Sequence, residues 1–230
     1  RGVAPGDRVA CLLPNSLPCL EAYFAAAGLG AILVPLNTRL HPDELAFILR
    51  DSGSRVLLAA PSFGELTGQV LGRETPVGCL LSSAAPFPTP TLGPAGAYPE
   101  PDGRPFAAAT PPPDTVAHLY YTSGTTGQPK GVMLTHGNFL ANVESCHRAI
   151  EVGPEDRFLC LLPMFHSFSW TVNVLLPIRL GATIVILETL LPFEPVLKTI
   201  WDRKITVFCG VPPIFAALTQ KIQGWKALLV

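Results

Sequence analysis

Short apolar runs alternate with helically spaced apolar positions along the first eighty residues. Arg8–Pro14 (RVACLLP) reads as a buried strand closed by a proline. Asn15 or Ser16 can cap a helix that has Pro18 in its first turn and Leu20, Tyr23, Phe24 and Ala27 along one face. Gly28 and Gly30 end it. Ala31–Pro35 is a second strand, Pro42–Asp51 a second helix opening on Asp43 and Glu44, and Arg55–Ala60 a third strand. Strand–helix–strand–helix–strand predicts parallel strands joined by crossover helices.

Between Ser82 and Asp114 the pattern stops. Ten of the chain's 25 prolines fall there, among Ala, Gly and Thr, which predicts an extended linker or surface loop. From Thr115 the alternation returns. His118–Thr122 is a strand entering a glycine-rich loop and Val132–Thr135 a strand leaving it; Asn138–Ile150 is a helix and Asp156–Leu162 a strand. A helix over Ser167–Leu176, a strand over Ala182–Leu187, a helix over Pro192–Arg203 and a strand over Val207–Gly210 complete the series. The fold class is α/β, with mostly parallel sheets flanked by helices. Its parts are residues 1–81, a proline-rich connection over 82–114, and residues 115–230.

Composition narrows the function. The 230 residues are 48% hydrophobic and only 14% charged, with a net charge of −1. Soluble domains average about 25% charged residues. Disorder needs the opposite balance, and no basic stripe is present to neutralise a nucleic-acid backbone. The apolar stretches Ala22–Leu36 and Trp170–Leu187 are broken by Gly28 and Gly30, and by Asn173, Pro177 and Arg179, so neither reads as a membrane span. None of the six cysteines has CxxC spacing, and scattered thiols in an apolar chain suggest reduced side chains of an intracellular protein.

Tyr120–Gly131, YYTSGTTGQPKG, concentrates the candidate chemistry. Glycine lets consecutive amide N–H groups turn toward one anion. Thr122, Ser123, Thr125 and Thr126 add hydroxyl donors, and Lys130 a compact positive charge. A polyphosphate is the guest this donor set suits. The spacing Gly124-x-x-Gly127-x-x-Lys130 is neither the P-loop pattern nor GxGxxG.

Tyr121–His136, YTSGTTGQPKGVMLTH, resembles the signature loop of the adenylate-forming superfamily, the AMP-binding enzymes. Gly2–Ser16, Gly30–Asn37, Glu44–Leu58, Leu162–Phe168 (LPMFHSF), Gly181–Val185 and Gly210–Ile214 (GVPPI) are similar to further family segments, in the family's order. Long-chain fatty acyl-CoA synthetases are the members it most resembles. The resemblance implies a two-step reaction: a carboxylate and ATP give an acyl-adenylate and pyrophosphate, and the acyl group then passes to the thiol of CoA. It also implies that Thr122, Ser123, Gly124, Thr125, Thr126, Gly127 and Lys130 hold the β- and γ-phosphates, with Mg²⁺ beside Thr125.

His166 follows Pro163-Met164-Phe165 at a strand-to-helix junction, where α/β sheets form pockets. The resemblance places it beside the acyl carbonyl in a positioning role. Trp170 lies one helical turn on; it reads equally as the gate of an acyl tunnel or as a core residue. Phe165, Phe168, Val211 and Pro212 line that cavity or fill the core. His136 after the N-cap candidate Thr135, and the Cys146-His147 pair, read as structural; His41 and His118 carry no motif.

The family's adenine-contacting segment, its Tyr-Gly-x-Thr-Glu motif with a Mg²⁺-binding glutamate, its ribose-binding aspartate and its C-terminal lid domain with a second lysine have no counterpart in these residues. The chain, which opens Arg1-Gly2-Val3, is therefore expected to be a piece of a longer synthetase. Alone it is expected to be inactive and to expose apolar surface. The alternatives are the same fold acting on an amino or aryl acid, and a natural truncation that binds nucleotide or a partner without catalysis. A cytoplasmic location, peripheral to membranes, and a homodimer of the full-length protein complete the expectations.

Overall fold

A computed structural model describes residues 2–83, 96–97, 107–122 and 128–227, with side chains described as far as residue 220 apart from 96–97. It falls into two compact units, residues 1–141 and 142–230.

In the first unit, β1 (Arg8–Leu12), β2 (Ile32–Pro35), β3 (Val56–Ala59), β4 (Cys79–Ser82), β5 (Gly96–Ala97), β6 (Val116–Thr122) and β7 (Lys130–Thr135) form one sheet in the order β5-β4-β3-β1-β2-β6-β7. Every recorded pairing is parallel except the β6–β7 hairpin. The crossovers are α1 (Leu17–Gly28), α2 (Pro42–Ser52) and α3 (Gly64–Leu71). Ser16 is the N-cap of α1, its hydroxyl accepting from Cys19 N at 3.2 Å. Helix α2 ends on Gly53, whose φ of 63° favours a residue without Cβ. Arg8 at the start of β1 donates Nε to Ser52 O at 2.7 Å, which satisfies a carbonyl that the helix end leaves open.

Alternation along the strands divides the core between the two sheet faces. Ala10, Leu12, Val34, Leu57 and Ala59 pack with Leu45, Ile48 and Leu49 of α2 and with Val70 and Leu71 of α3. Helix α3 and strand β4 were not expected from the pattern. GELTGQVL carries two glycines, which weakens its helical signal; buried Thr67, Val70 and Leu71 make it a helix.

Helix α4 (His136–Ala149) follows β7. Thr135 is its cap: Asn138 N donates to Thr135 Oγ1 at 3.1 Å, and Thr135 N donates to Asn138 Oδ1 at 2.9 Å.

The second unit carries a parallel three-stranded sheet, β10-β8-β9, made of β8 (Arg157–Cys160), β9 (Thr183–Ile186) and β10 (Val207–Phe208). Leu159 packs with Val196 of α7 (Phe193–Asp202) and with Ile214 and Leu218 of α8 (Pro212–Ala227). Phe158, on the other face, packs with Val143 and Leu176. The segment expected as one helix is a composite: α5 (Ser167–Ser169), a π-helical turn over Trp170–Leu175, and α6 (Leu176–Leu180). Its apolar run hides the extra residue that widens the turn. None of the described helices is long and apolar enough to cross a membrane.

Candidate active site

The glycine-rich loop joins the two strands of the β6–β7 hairpin. Thr122 and Lys130 are direct cross-strand partners, one register step beyond Tyr121 and Gly131. Both are exposed, so a hydroxyl and an ammonium group stand opposite each other where the loop begins and ends. Ser123, Gly124, Thr125, Thr126 and Gly127 lie outside the described residues. Because β6 runs parallel to β2, the loop leaves the sheet at the carboxyl edge of its parallel strands, where open α/β sheets bind ligands.

The two faces of β6 fix that mouth differently. On one, the Tyr121 hydroxyl donates to Asp51 Oδ2 at 2.6 Å. Gly131 opposite is needed for close approach: a Cβ there would meet Leu119 Cδ1 at 3.1 Å and the Tyr121 ring at 3.4 Å. On the other face, His118 is buried, with its ring 5.1 Å from Tyr23 and 4.7 Å from Phe139, and its Nδ1 3.1 Å from the Tyr120 hydroxyl. Burial, with a smaller contribution from His136, lowers its pKa to about 3. It is a neutral core residue.

In the second unit, β8 and β10 are parallel neighbours, so the segments after them leave at one sheet edge. The first holds Phe165 and His166, with ring centroids 4.6 Å apart; the second holds Val211 and Pro212. His166 is exposed and starts α5 in extended conformation, φ −93° and ψ 134°, but its side chain makes no capping bond. Phe168 and Val211 are exposed, and Trp170 is only 3% exposed.

Two polar residues beneath this turn escaped the sequence reading as site residues. Ser169 Oγ donates to Leu162 O at 2.7 Å, and Asn173 Nδ2 donates to Ser169 Oγ at 3.2 Å; both side chains are fully buried. An asparagine inside a buried apolar run was the available signal. Cys146 donates to Asn142 Oδ1 within its own helix, a structural contact.

The chain that carries this loop, between Thr122 and Lys130, matches a known family. The profile described as AMP-binding enzyme covers residues 1–227. The chain belongs to the AMP-binding enzyme family. Feruloyl-CoA synthase of an Amycolatopsis species is 36% identical over 98% of this chain. The long-chain-fatty-acid–CoA ligase FadD13 of Mycobacterium tuberculosis is 35% identical over 95% of it. The chain spans 42% of the length of either relative. The inhibitor-bound N-terminal domain of FACL13 from Mycobacterium tuberculosis superposes with a TM-score of 0.81 at 31% identity, covering 95% of this chain and 53% of that one. This AMP-binding chain is thus similar to the N-terminal part of the acyl-CoA ligases it matches.

Proposed function

We propose that the chain is the phosphate-binding and acyl-binding part of a synthetase that activates an apolar carboxylic acid, a fatty acid in the first instance, and transfers it to CoA. The observation that supports this most directly is the Thr122–Lys130 pair across the mouth of the loop.

In the first step a carboxylate oxygen attacks the α-phosphorus of ATP, and the bond to pyrophosphate breaks. Charge grows on the departing oxygens. Donors fixed in advance stabilise it without reorganising, and that is the part given to Lys130, to the hydroxyls of Thr122, Ser123, Thr125 and Thr126, and to the amides of Gly124 and Gly127. Thr125 would hold Mg²⁺, which would supply further positive charge to offset that on the leaving phosphates. In the second step the CoA thiol attacks the acyl carbonyl and AMP leaves. His166 orients the acyl carbonyl, while Phe165, Trp170, Val211 and Pro212 shape the apolar site. Trp170 would have to swing out of its buried position to act as a gate. Homodimerisation and a cytoplasmic, membrane-peripheral location belong to the same proposal for the full-length protein.

The similarity to a feruloyl-CoA synthase supports a second reading, in which the acid is aromatic. Carboxylate-dependent ATP–pyrophosphate exchange by the full-length enzyme, across fatty, aryl and amino acids, separates the readings. Fatty acids are expected to support the fastest exchange; exchange with aryl acids alone favours the second reading. No exchange with any acid overturns both.

A further inference from the structure

Buried hydrogen bonds beneath the His166 turn form a chain whose direction is fixed. The Leu162 carbonyl can only accept, so Ser169 must spend its one hydrogen there, at 2.7 Å. Toward Asn173 the Ser169 oxygen can therefore only accept. That requires the amide nitrogen of Asn173 to face it, as the 3.2 Å contact records. The amide cannot flip, and its Oδ1 is left buried without a partner. Asn173 lies in the π-helical turn that begins at Trp170, and both it and Ser169 are fully buried.

An asparagine placed this way is a poor choice for core stability alone. Its carbonyl is desolvated for nothing, which an apolar side chain of the same size would avoid. What the amide does supply is a donor that holds the Ser169 hydroxyl toward Leu162. Leu162 is the residue before Pro163-Met164-Phe165-His166, and that turn closes on itself through His166 N to Pro163 O at 3.0 Å and onto the helix through Trp170 N to His166 O at 3.0 Å. The pin at Leu162 and the bond at Trp170 thus bracket the turn that presents the imidazole.

We propose that Ser169 and Asn173, four residues apart on one helix face, are positioning residues for His166. This rests on the reading of His166 as an acyl-site residue. Displacing a reacting group by about 1 Å can cost on the order of a hundred-fold in rate, so a loosened turn should lower kcat for the carboxylate while leaving the KM for ATP unchanged.

The test uses the full-length enzyme with Ser169→Ala, Ser169→Thr, Asn173→Leu and Asn173→Asp. Ser169→Ala is expected to lower kcat of pyrophosphate exchange about ten-fold or more, with Ser169→Thr restoring it. In its ionised form, at a pH above the raised pKa of a buried carboxyl, Asn173→Asp offers only acceptors, so it draws the Ser169 hydrogen away from Leu162 and should match the alanine variant. Asn173→Leu keeps the fold, raises or preserves the thermal midpoint, and yet lowers kcat. Wild-type kcat in both Asn173→Leu and Ser169→Ala would overturn the proposal. Deuterium uptake of the Leu162–Ser167 peptide gives a readout independent of turnover: it should rise in Ser169→Ala and Asn173→Asp, and unchanged uptake there also overturns the proposal. If the wild-type enzyme exchanges pyrophosphate with no acid, the functional reading fails while uptake still decides the pin.

Discussion

The Tyr121 hydroxyl donates to the Asp51 carboxylate at 2.6 Å, tying the strand that enters the glycine-rich loop to the last turn of α2. Burial and the neighbouring carboxylate both push the Tyr121 pKa up, so the bond survives throughout the neutral range. Tyr121→Phe should cost about 1 kcal/mol, near the low end for a bond to a charged group because Asp51 is exposed. Urea unfolding measures that cost. In the full-length enzyme the same variant should raise the KM for ATP, since Thr122 is the next residue; an unchanged KM would separate the bond from the mouth of the loop.

Stability should fall on mild acidification. His118 is neutral when folded, with its pKa lowered to about 3, whereas an unfolded histidine takes up a proton near its ordinary value of about 6.5. The unfolded state therefore binds more protons below that value. The stability is present above pH 6.5 and is lost as pH falls toward 3, amounting to about 2 kcal/mol between pH 7 and 5. His136, also lowered by burial, acts in the same direction. His118→Phe should flatten, without abolishing, the dependence of the denaturation midpoint on pH. A slope identical to wild type would mean that His118 is not the group responsible.

Lys130→Ala in the full-length enzyme should lower kcat of pyrophosphate exchange about 100-fold, the loss typical for one preorganised donor at a developing anion. Lys130→Arg should recover part of it. A fall confined to the KM for ATP would mean that Lys130 binds ground state and transition state equally.

Residues 1–230 alone should make no acyl-CoA and should self-associate. Trp201 at 85% exposure and Phe168, Val211 and Phe215 at 41–51% leave apolar surface open to water. Light scattering showing a monodisperse monomer, or turnover by the purified chain, would contradict this.

Most of the framework was legible from residue pattern because apolar runs and caps agree with the fold. RVACLLP, Ser16 and the acidic start of α2 each specify their element locally. Thr135 capping α4 was equally legible. What stayed hidden depends on contacts distant in sequence. Nothing near Tyr121 announces Asp51, and GELTGQVL becomes helical only where its apolar face meets the core. WTVNVL is so uniformly apolar that its spacing cannot distinguish a π turn from an α turn. At the candidate site, Thr122 and Lys130 were legible as donors of a glycine-rich loop and His166 through motif resemblance, whereas Ser169 and Asn173 required the three-dimensional course of the Leu162 carbonyl.

Leu33 of β2 stands in parallel register with His118 of β6 across the long proline-rich stretch. During synthesis β1, β2 and β3 leave the ribosome well before β6 exists. They can pair with one another at once, which leaves the outer edge of β2 bare until the proline-rich stretch has been translated. Such an edge is a template for wrong partners while the chain waits. The β2 edge is thus covered only with the arrival of the β6–β7 hairpin, and translation speed through the prolines sets how long the nascent chain is at risk.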